Sequence, residues 1–458
     1  MTPPVDTIIS GRPHPLFNHQ EQAVPQNNET QVLENVFAMA RQKHYPTSSF
    51  KFMNFMAYAL CYTISQAFLV YPAVFTDTGL DLTDSEYSFY ASLFYLVYGS
   101  LQFPLGLLAD RFSSKKTVGV LFPFIILGCF LALNPSNYLV LCLSRVFMAC
   151  GASSVYISAS RVFPHFYLEK SIPFLTSVFF AFSSIGTLFM SSVLPSMYST
   201  TRDALIVCLT LQILFYILFI TVVREPIVTT KLDLKQAVAS TIDFFKTTDG
   251  KILCFNAFST YAPWSAVAGL MINRYLTYTK CTTQTITMLT ALYSSSMFYG
   301  GQIVGYLSRF INSSTMNKAM HALGAVFLFA QGWISTPGWM FYIVFFMHGA
   351  IGGSACVPVY GDVSILASAK SSTIGIISTV AFIGSALLQM GVGKILSISS
   401  LSMDDRYSAT FFLMAAIYFV GLLFLSKYKG VRSEKRRSQV FDSSVLVNDY
   451  GSCDDLEV

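Results

Sequence analysis

Charge is what this chain has least of. Of its 458 residues, 12% are Asp, Glu, Lys or Arg while 53% are hydrophobic, against roughly a quarter charged in an average soluble domain. That balance excludes a water-exposed globular surface and a highly charged disordered chain alike. No G-x-x-x-x-G-K-[ST] stretch is present, so direct nucleotide hydrolysis has no support. Nine cysteines contain no C-x-x-C pair; Cys61, Cys129, Cys142, Cys150 and Cys208 sit inside apolar runs as small packing residues, which argues against a disulfide framework. The clustered His and carboxylate residues of an enzyme or metal centre are missing from the apolar runs, so neither catalysis nor a cofactor or metal is expected. The first fifty residues lack a charged-then-apolar leader, and the first apolar run is expected to direct membrane insertion.

What the chain does have is apolar length. Twelve runs stand out, at 52–74, 87–108, 117–133, 138–159, 172–194, 204–223, 252–272, 286–307, 319–334, 339–360, 373–396 and 407–425. At about 1.5 Å per residue each can cross a hydrocarbon core of about 30 Å, the third and ninth barely. Lipid offers no partners for backbone polar groups, and no alternating strand pattern is seen, so helices are the expected solution. The fold class expected is an all-α membrane protein of twelve transmembrane helices in two six-helix pseudo-symmetric halves. Its parts are an N-terminal tail (1–50), an N-terminal half (51–223), a linker (224–251), a C-terminal half (252–426) and a C-terminal tail (427–458). In the linker Leu232, Leu234, Ala237, Val238 and Ile242 have the spacing of a short amphipathic surface helix, with a plain linker as the alternative. Tyr98-Gly99 with Gly106 and Arg111-Phe112 at the end of the second run are echoed by Tyr299-Gly300 with Gly305 and Arg309-Phe310 at the end of the eighth, as a parallel repeat requires.

Positive charge sets the orientation. Arg41, Lys43, Lys51, Arg111, Lys115, Lys116, Lys231, Lys235, Lys246, Arg432, Lys435, Arg436 and Arg437 fall on one side, and little beyond Arg202, Arg274, Lys280 and Arg406 on the other. The positive-inside rule then puts both termini in the cytoplasm, and the net charge of +5 anchors the chain rather than binding nucleic acid. The expected location is a cell membrane, a bacterial inner membrane by preference, with a eukaryotic organelle as the alternative.

The sharpest motif is Gly106-Leu-Leu-Ala-Asp110-Arg111-Phe-Ser-Ser-Lys115-Lys116. It resembles the cytoplasmic-loop signature G-x-L-x-D-R-x-G-R-[RK] of the major facilitator superfamily, with Ser113 and Ser114 departing from it. Arg145-Val-Phe-Met-Ala-Cys-Gly151 is similar to that superfamily's R-x-x-x-G-x-G pattern with altered spacing, and Arg224-Glu225-Pro226 to its acidic-Pro ending of the sixth helix. The region from Tyr87 to Lys116, with Arg145 to Pro164, resembles the bacterial organic-anion and phagosomal nutrient-transporter branches. The resemblance implies a monomeric secondary carrier working by alternating access, with protons as a candidate co-substrate in symport. A cytoplasmic gate would involve Gly106, Asp110, Arg111, Lys115 and Glu225. A transport-inactive sensor or a facilitative carrier on the same scaffold is the alternative.

The polar inventory of the runs is short. It holds no Asp or Glu, only Arg145 and Lys394 as strong cations, and His321 and His348 as histidines. Ionisable groups at membrane depth cost several kcal/mol to bury and mark functional sites by default. Arg145 presents a guanidinium fork suited to carboxylate or phosphate, so the expected solute is small, polar and anionic or zwitterionic, while the resemblance implies a nutrient such as an amino acid, carboxylate or nucleoside. Tyr62 and Gln66 share a face of the first helix; Asn256 and Trp264 decorate the seventh, its counterpart; His348 lies in a glycine-rich stretch of the tenth and could exchange protons. These six residues are the expected solute site.

Overall fold

The computed structural model describes residues 48–75, 79–111, 113–167, 172–198, 200–225, 234–307, 310–366, 370–428 and 430. Both predicted tails lie almost wholly outside these residues, as do Pro226, Lys231 and Leu232 of the linker. Among the described residues the regular structure is helical, with no strand. The N-terminal series is α1 (Ser48–Val74), α2 (Asp84–Arg111), α3 (Ser114–Ala132), α4 (Tyr138–Phe166), α5 (Ile172–Leu188), a π turn (Phe189–Val193), α6 (Leu194–Met197) and α7 (Thr201–Val222). Then come α8 (Leu234–Lys246), α9 (Thr248–Ala266), a second π turn (Val267–Met271), α10 (Ile272–Tyr278), α11 (Thr283–Ser294) and α12 (Ser296–Leu307). The series closes with α13 (Ser313–Trp333), α14 (Trp339–Ser354), α15 (Cys356–Leu366), α16 (Lys370–Leu396) and α17 (Met403–Leu425).

The helix starts are written in local chemistry. Ser113, Asn137, Thr200, Thr247, Thr282, Asn312 and Ser402 each accept a backbone N–H from the first turn that would otherwise be orphaned. At α2 the cap is reciprocal: Glu86 accepts from the Thr83 backbone N–H at 2.9 Å while its own N–H reaches the Thr83 hydroxyl at 3.3 Å. This capping box starts α2 three residues before the predicted span, which brings Asp84 and Glu86 into its first turn.

Nine helical stretches are long and apolar enough to cross a membrane among the described residues, at the predicted positions one to six and ten to twelve. The remaining three predicted spans are also helical, with interruptions or polar residues. The seventh changes to a π turn at Val267–Met271, downstream of Pro263. The eighth breaks at Ser295, whose hydroxyl bonds back to the Ala291 carbonyl at 2.7 Å. The ninth, α13, carries Asn317, Lys318, His321 and Gln331. Large apolar side chains such as Val120, Leu139, Phe329 and Trp339 point outward, and only 22% of the most apolar stretch of α7 is buried inside the protein, the pattern of a surface facing lipid.

The linker helix α8 packs onto the bundle rather than standing apart. Thr241 is fully buried with its hydroxyl 2.8 Å from that of Ser372 in α16, and Phe244 is buried beside it, while Ile242 stays exposed.

One seam joins the N-terminal helices to the C-terminal ones along most of its length, between α2 and α16. From one end to the other, Ser85 meets Ser397, Ser88 meets Gly393, Gly99 meets Phe382 and the Gln102 carbonyl meets Gly375. Thr379 donates to the Gly99 carbonyl at 2.8 Å. Such backbone-level contact needs small residues: a Cβ on Gly99 would stand 2.8 Å from the Phe382 Cβ and 3.1 Å from the Ile383 amide nitrogen, both anchored to backbone. By contrast, a Cβ on Gly305 would meet nothing within 4 Å. Gly99→Ala is expected to destabilise the detergent-solubilised protein by about 1–3 kcal/mol through overpacking. Gly305→Ala should be neutral or stabilising by up to about 1 kcal/mol, since alanine favours a helix interior. Parallel thermal melts of the two variants check the opposite signs.

Candidate functional site

The α2–α16 seam opens on a cavity near the middle of the bundle. Its lining comes from α1 (Tyr62, Gln66), α2 (Tyr98, Gln102), α4 (Tyr156), α5 (Phe180, Ser183), α9 (Tyr261), α12 (Met297), α15 (Tyr360) and α16 (Ser378, Phe382). Three helices contribute through the same device: Tyr62/Gln66, Tyr98/Gln102 and Ser378/Phe382 are each four residues apart and therefore stack on one helix face. The cavity volume, as room for the centres of water molecules, is about 30 Å³. Room for a few waters therefore remains in this conformation, and a larger solute needs the surrounding side chains to part.

Aromatic rings make the walls. Tyr62 stacks on Phe179 at 4.5 Å and 11°, and Tyr156 lies 6.0 Å from Tyr62 and 5.2 Å from Phe180. Phe180 continues to Tyr360 at 6.2 Å. A second group, Tyr98, Phe382 and Tyr261, is joined at 4.5 Å and 4.8 Å. The polar groups are amides and hydroxyls. The Gln66 amide reaches the Tyr98 hydroxyl at 3.5 Å, the Gln102 amide donates to the Ser153 carbonyl at 3.4 Å, and the Tyr360 and Ser378 hydroxyls lie 3.0 Å apart. Gln102 Oε1 is buried with no partner among the described residues, an acceptor that costs free energy until something donates to it.

Of the six residues expected to form a solute site, Tyr62 and Gln66 line this cavity. Trp264 stands one layer behind it, its ring 5.4 Å from that of Tyr261 and its N–H donating to the Ser296 hydroxyl at 2.9 Å. His348 and Asn256 are outside the lining. His348 is buried with Nδ1 2.9 Å from the Tyr293 hydroxyl and Nε2 unpartnered, and both side-chain amide atoms of buried Asn256 lack a partner. The sequence reading placed Tyr98 and Gln102, with Tyr95, on one face of the second helix as further candidates without including them among the six, and it missed Tyr156, Phe180, Ser183, Tyr261, Met297, Tyr360, Ser378 and Phe382 as lining. The repeated four-residue spacing was the available signal, but aromatic residues are also ordinary packing residues, and depth alone does not say which face meets a cavity.

Arg145 is also outside the lining. It is fully buried and donates through Nη1 to the Phe68 carbonyl of α1 at 2.7 Å. Its guanidinium carbon lies 4.7 Å from the Phe94 ring and 5.6 Å from that of Tyr90. Phe94 in turn stacks on Tyr98 at 5.8 Å, so one aromatic ring separates the cation from a cavity residue. No carboxylate hydrogen-bonds or pairs with Arg145 among the described residues, and its Nε and Nη2 atoms have no partner.

The two ends of the bundle are tied differently. At one end Asp84 of α2 and Arg274 of α10 pair at 2.6 Å, with the guanidinium 4.0 Å above the Tyr87 ring. Beside them Asn273 donates to the Val74 carbonyl at 3.4 Å and Thr290 to Asn273 at 2.8 Å. At the other end Glu225 accepts from the Lys115 backbone N–H in the first turn of α3, while Lys115 Nζ donates to the Val223 carbonyl at 2.6 Å. A carboxylate there satisfies an orphan amide and meets the positive end of the helix dipole. Two expected gate residues, Lys115 and Glu225, thus meet within the N-terminal series. Gly106 is buried in α2, and the side chains of Asp110 and Arg111 lie outside the described residues. Near this end Tyr428 donates to buried Asp362 of α15 at 2.8 Å; Asp362 lies just beyond the predicted tenth span.

The family model of the Major Facilitator Superfamily matches residues 51–388. The chain belongs to that superfamily. It is a multi-pass membrane protein and a membrane transporter in the general sense of the family, whose members are transporters rather than enzymes as a rule. A comparison with curated proteins finds no match.

In this facilitator the unpaired burial of Arg145 is a cost to folding. Replacing a buried charge by an apolar chain of similar length is often neutral or stabilising. Arg145→Met is therefore expected to melt no lower than wild type. A fall of several degrees in a detergent thermal melt would show that the aromatic faces and the Phe68 carbonyl more than offset the desolvation.

Proposed function

We propose that this facilitator is an alternating-access carrier that moves one small polar solute through the central cavity, with six-helix halves on either side of the 224–251 linker rocking about it. The observation that carries this reading is the lining itself, which draws on α1, α2, α4 and α5 before the linker and on α9, α12, α15 and α16 after it. Motion between the two sets would change the cavity's access without rebuilding either wall. Among the described residues, polar ties between the sets run from mid-seam, where Thr379 and Thr187 donate to the Gly99 and Ser294 carbonyls, to the Asp84 end, which holds the Asp84–Arg274 ion pair and the Asn273 and Ser85 contacts. With both termini cytoplasmic, that end is the outer one, and the conformation is closed to the outside.

Coupling to protons stays part of the proposal through His348, whose second ring nitrogen is unpartnered. The anionic part of the sequence expectation is not carried forward, because its residue, Arg145, does not line the cavity. Uptake of labelled solute into proteoliposomes separates a carrier from a transport-inactive sensor: a sensor binds without flux.

Two expected outcomes follow from the ends. Asp110→Asn keeps the fold and cuts flux at least several-fold if the carboxylate helps close the cytoplasmic side; flux at the wild-type rate would remove that role. At the outer end, Asp84→Asn should raise several-fold the rate at which a bulky aqueous thiol reagent reaches a cysteine placed at Ser183. The exchange Asp84→Arg with Arg274→Asp should return it toward the parent rate. Equal labelling in all three would show that the pair does not hold the outer end shut.

A further inference from the structure

The lining of the central cavity has a property that decides among solute classes. Among the described residues it consists of five tyrosines, two phenylalanines, two glutamines, two serines and a methionine, with no Asp, Glu, Lys, Arg or His. We infer that the solute is uncharged, with a flat face and an edge carrying both a hydrogen-bond donor and an acceptor, the chemistry of a nucleobase or nucleoside. The inference rests on the carrier reading above and names the class of solute that the same cavity takes.

Three lines of physics converge on it. A carboxylate entering this site would lose its hydration with no cation in the lining to replace it, and burying a charge without a partner is among the costliest steps available to a protein. Arg145, the one fully buried Lys or Arg among the described residues, stands behind the Phe94 ring with its Nη1 already committed to the Phe68 carbonyl. An organic cation would find aromatic faces, but no carboxylate in the lining, among the described residues, to replace its lost hydration. An uncharged solute escapes both penalties.

Shape and hydrogen bonding narrow the class. Tyr62, Tyr156, Phe180 and Tyr360 pack ring on ring at interplanar angles of 29°, 32° and 30°, an offset stack whose members all line the cavity and present it with an aromatic surface. A planar ring system stacks on such a surface with little regard to its detailed substituents. Fully buried Gln102 supplies the edge contact, since its carboxamide carries donors and an acceptor in one plane and its Oε1 is unpartnered. A base edge that presents an N–H to Gln102 Oε1 satisfies the orphan acceptor. An amino acid or dicarboxylate would bring its charge and leave the aromatic faces without a stacking partner.

Counterflow in proteoliposomes, with adenosine, uridine, succinate, leucine, choline and glucose each tried as labelled solute, tests the inference. Counterflow of adenosine or uridine, with the other four at background, is the expected result. Two variants then locate the contact. Gln102→Met should weaken the apparent affinity for the nucleoside roughly tenfold or more by leaving its edge unpaired, and Phe382→Leu, which keeps every polar group, should weaken it several-fold through lost ring contact. Counterflow of succinate, leucine, choline or glucose without either nucleoside overturns the uncharged planar class and leaves the carrier reading standing. Absence of counterflow for all six overturns the nucleoside inference, and the outer-end labelling experiment, which needs no solute, then judges the carrier reading separately. Nucleoside counterflow unchanged in both variants overturns the assignment to this cavity.

Discussion

The close approach of α2 and α16 is the constraint on which the rest of the molecule hangs. Helices in lipid gain little from the hydrophobic effect against one another, so their association depends on dispersion contacts and on small residues that let backbones meet. Ser88 against Gly393 and Gly99 against Phe382 supply that contact between helices separated by most of the chain. The residues beside Gly99 also build the cavity: Tyr98 precedes it, Phe382 covers it, and their rings touch at 4.5 Å. The seam that holds the N-terminal and C-terminal helices together is therefore part of the wall around the candidate site. Parting the helices in a transport cycle would open the cavity along that seam.

Arg145 shows how a charge can be kept in such a medium. No carboxylate pairs with it among the described residues, and a helix carbonyl and two aromatic faces bear on it instead, each a partial negative charge. The arrangement leaves two guanidinium nitrogens open. Because Phe94 bears on both the guanidinium and Tyr98, a change in how that cation is satisfied would reach the cavity through a single ring. The helices after the linker hold their own buried polar centre without a strong charge. There His321 bonds to Ser259 and to the Asn317 carbonyl, and Tyr418 packs between His321 and His348.

The internal repeat reads differently in the two places it was seen. Tyr98 lines the cavity and Gly99 meets the opposing helix set. Tyr299 instead stacks on Phe346 of α14 and Gly300 packs against Ala350 and Ser354, all within the C-terminal series. Similar dipeptides at matching positions thus do different work, because helical rotation and tilt, not sequence position, decide which neighbour a side chain meets.

The sequence by itself determined the membrane class, the helical fold, the family and most helix boundaries. Those properties rest on local physics: apolar runs of membrane length, caps such as Ser113 and Asn137, and a loop motif that needs no distant partner to be recognised. Even the early start of α2 was legible, in the Thr83 and Glu86 pair. Tertiary structure alone decided which polar groups share a space. Tyr62 and Gln66 were readable as one face of one helix, but whether that face met Tyr98, Tyr261 or lipid was not. Arg145 was rightly marked as unusual and deep, while its separation from the cavity by Phe94 depends on how α2 and α4 pack. In water, hydropathy separates inside from outside; here lipid-facing, helix-facing and cavity-facing positions can all be apolar or aromatic, so composition does not tell them apart and only packing does.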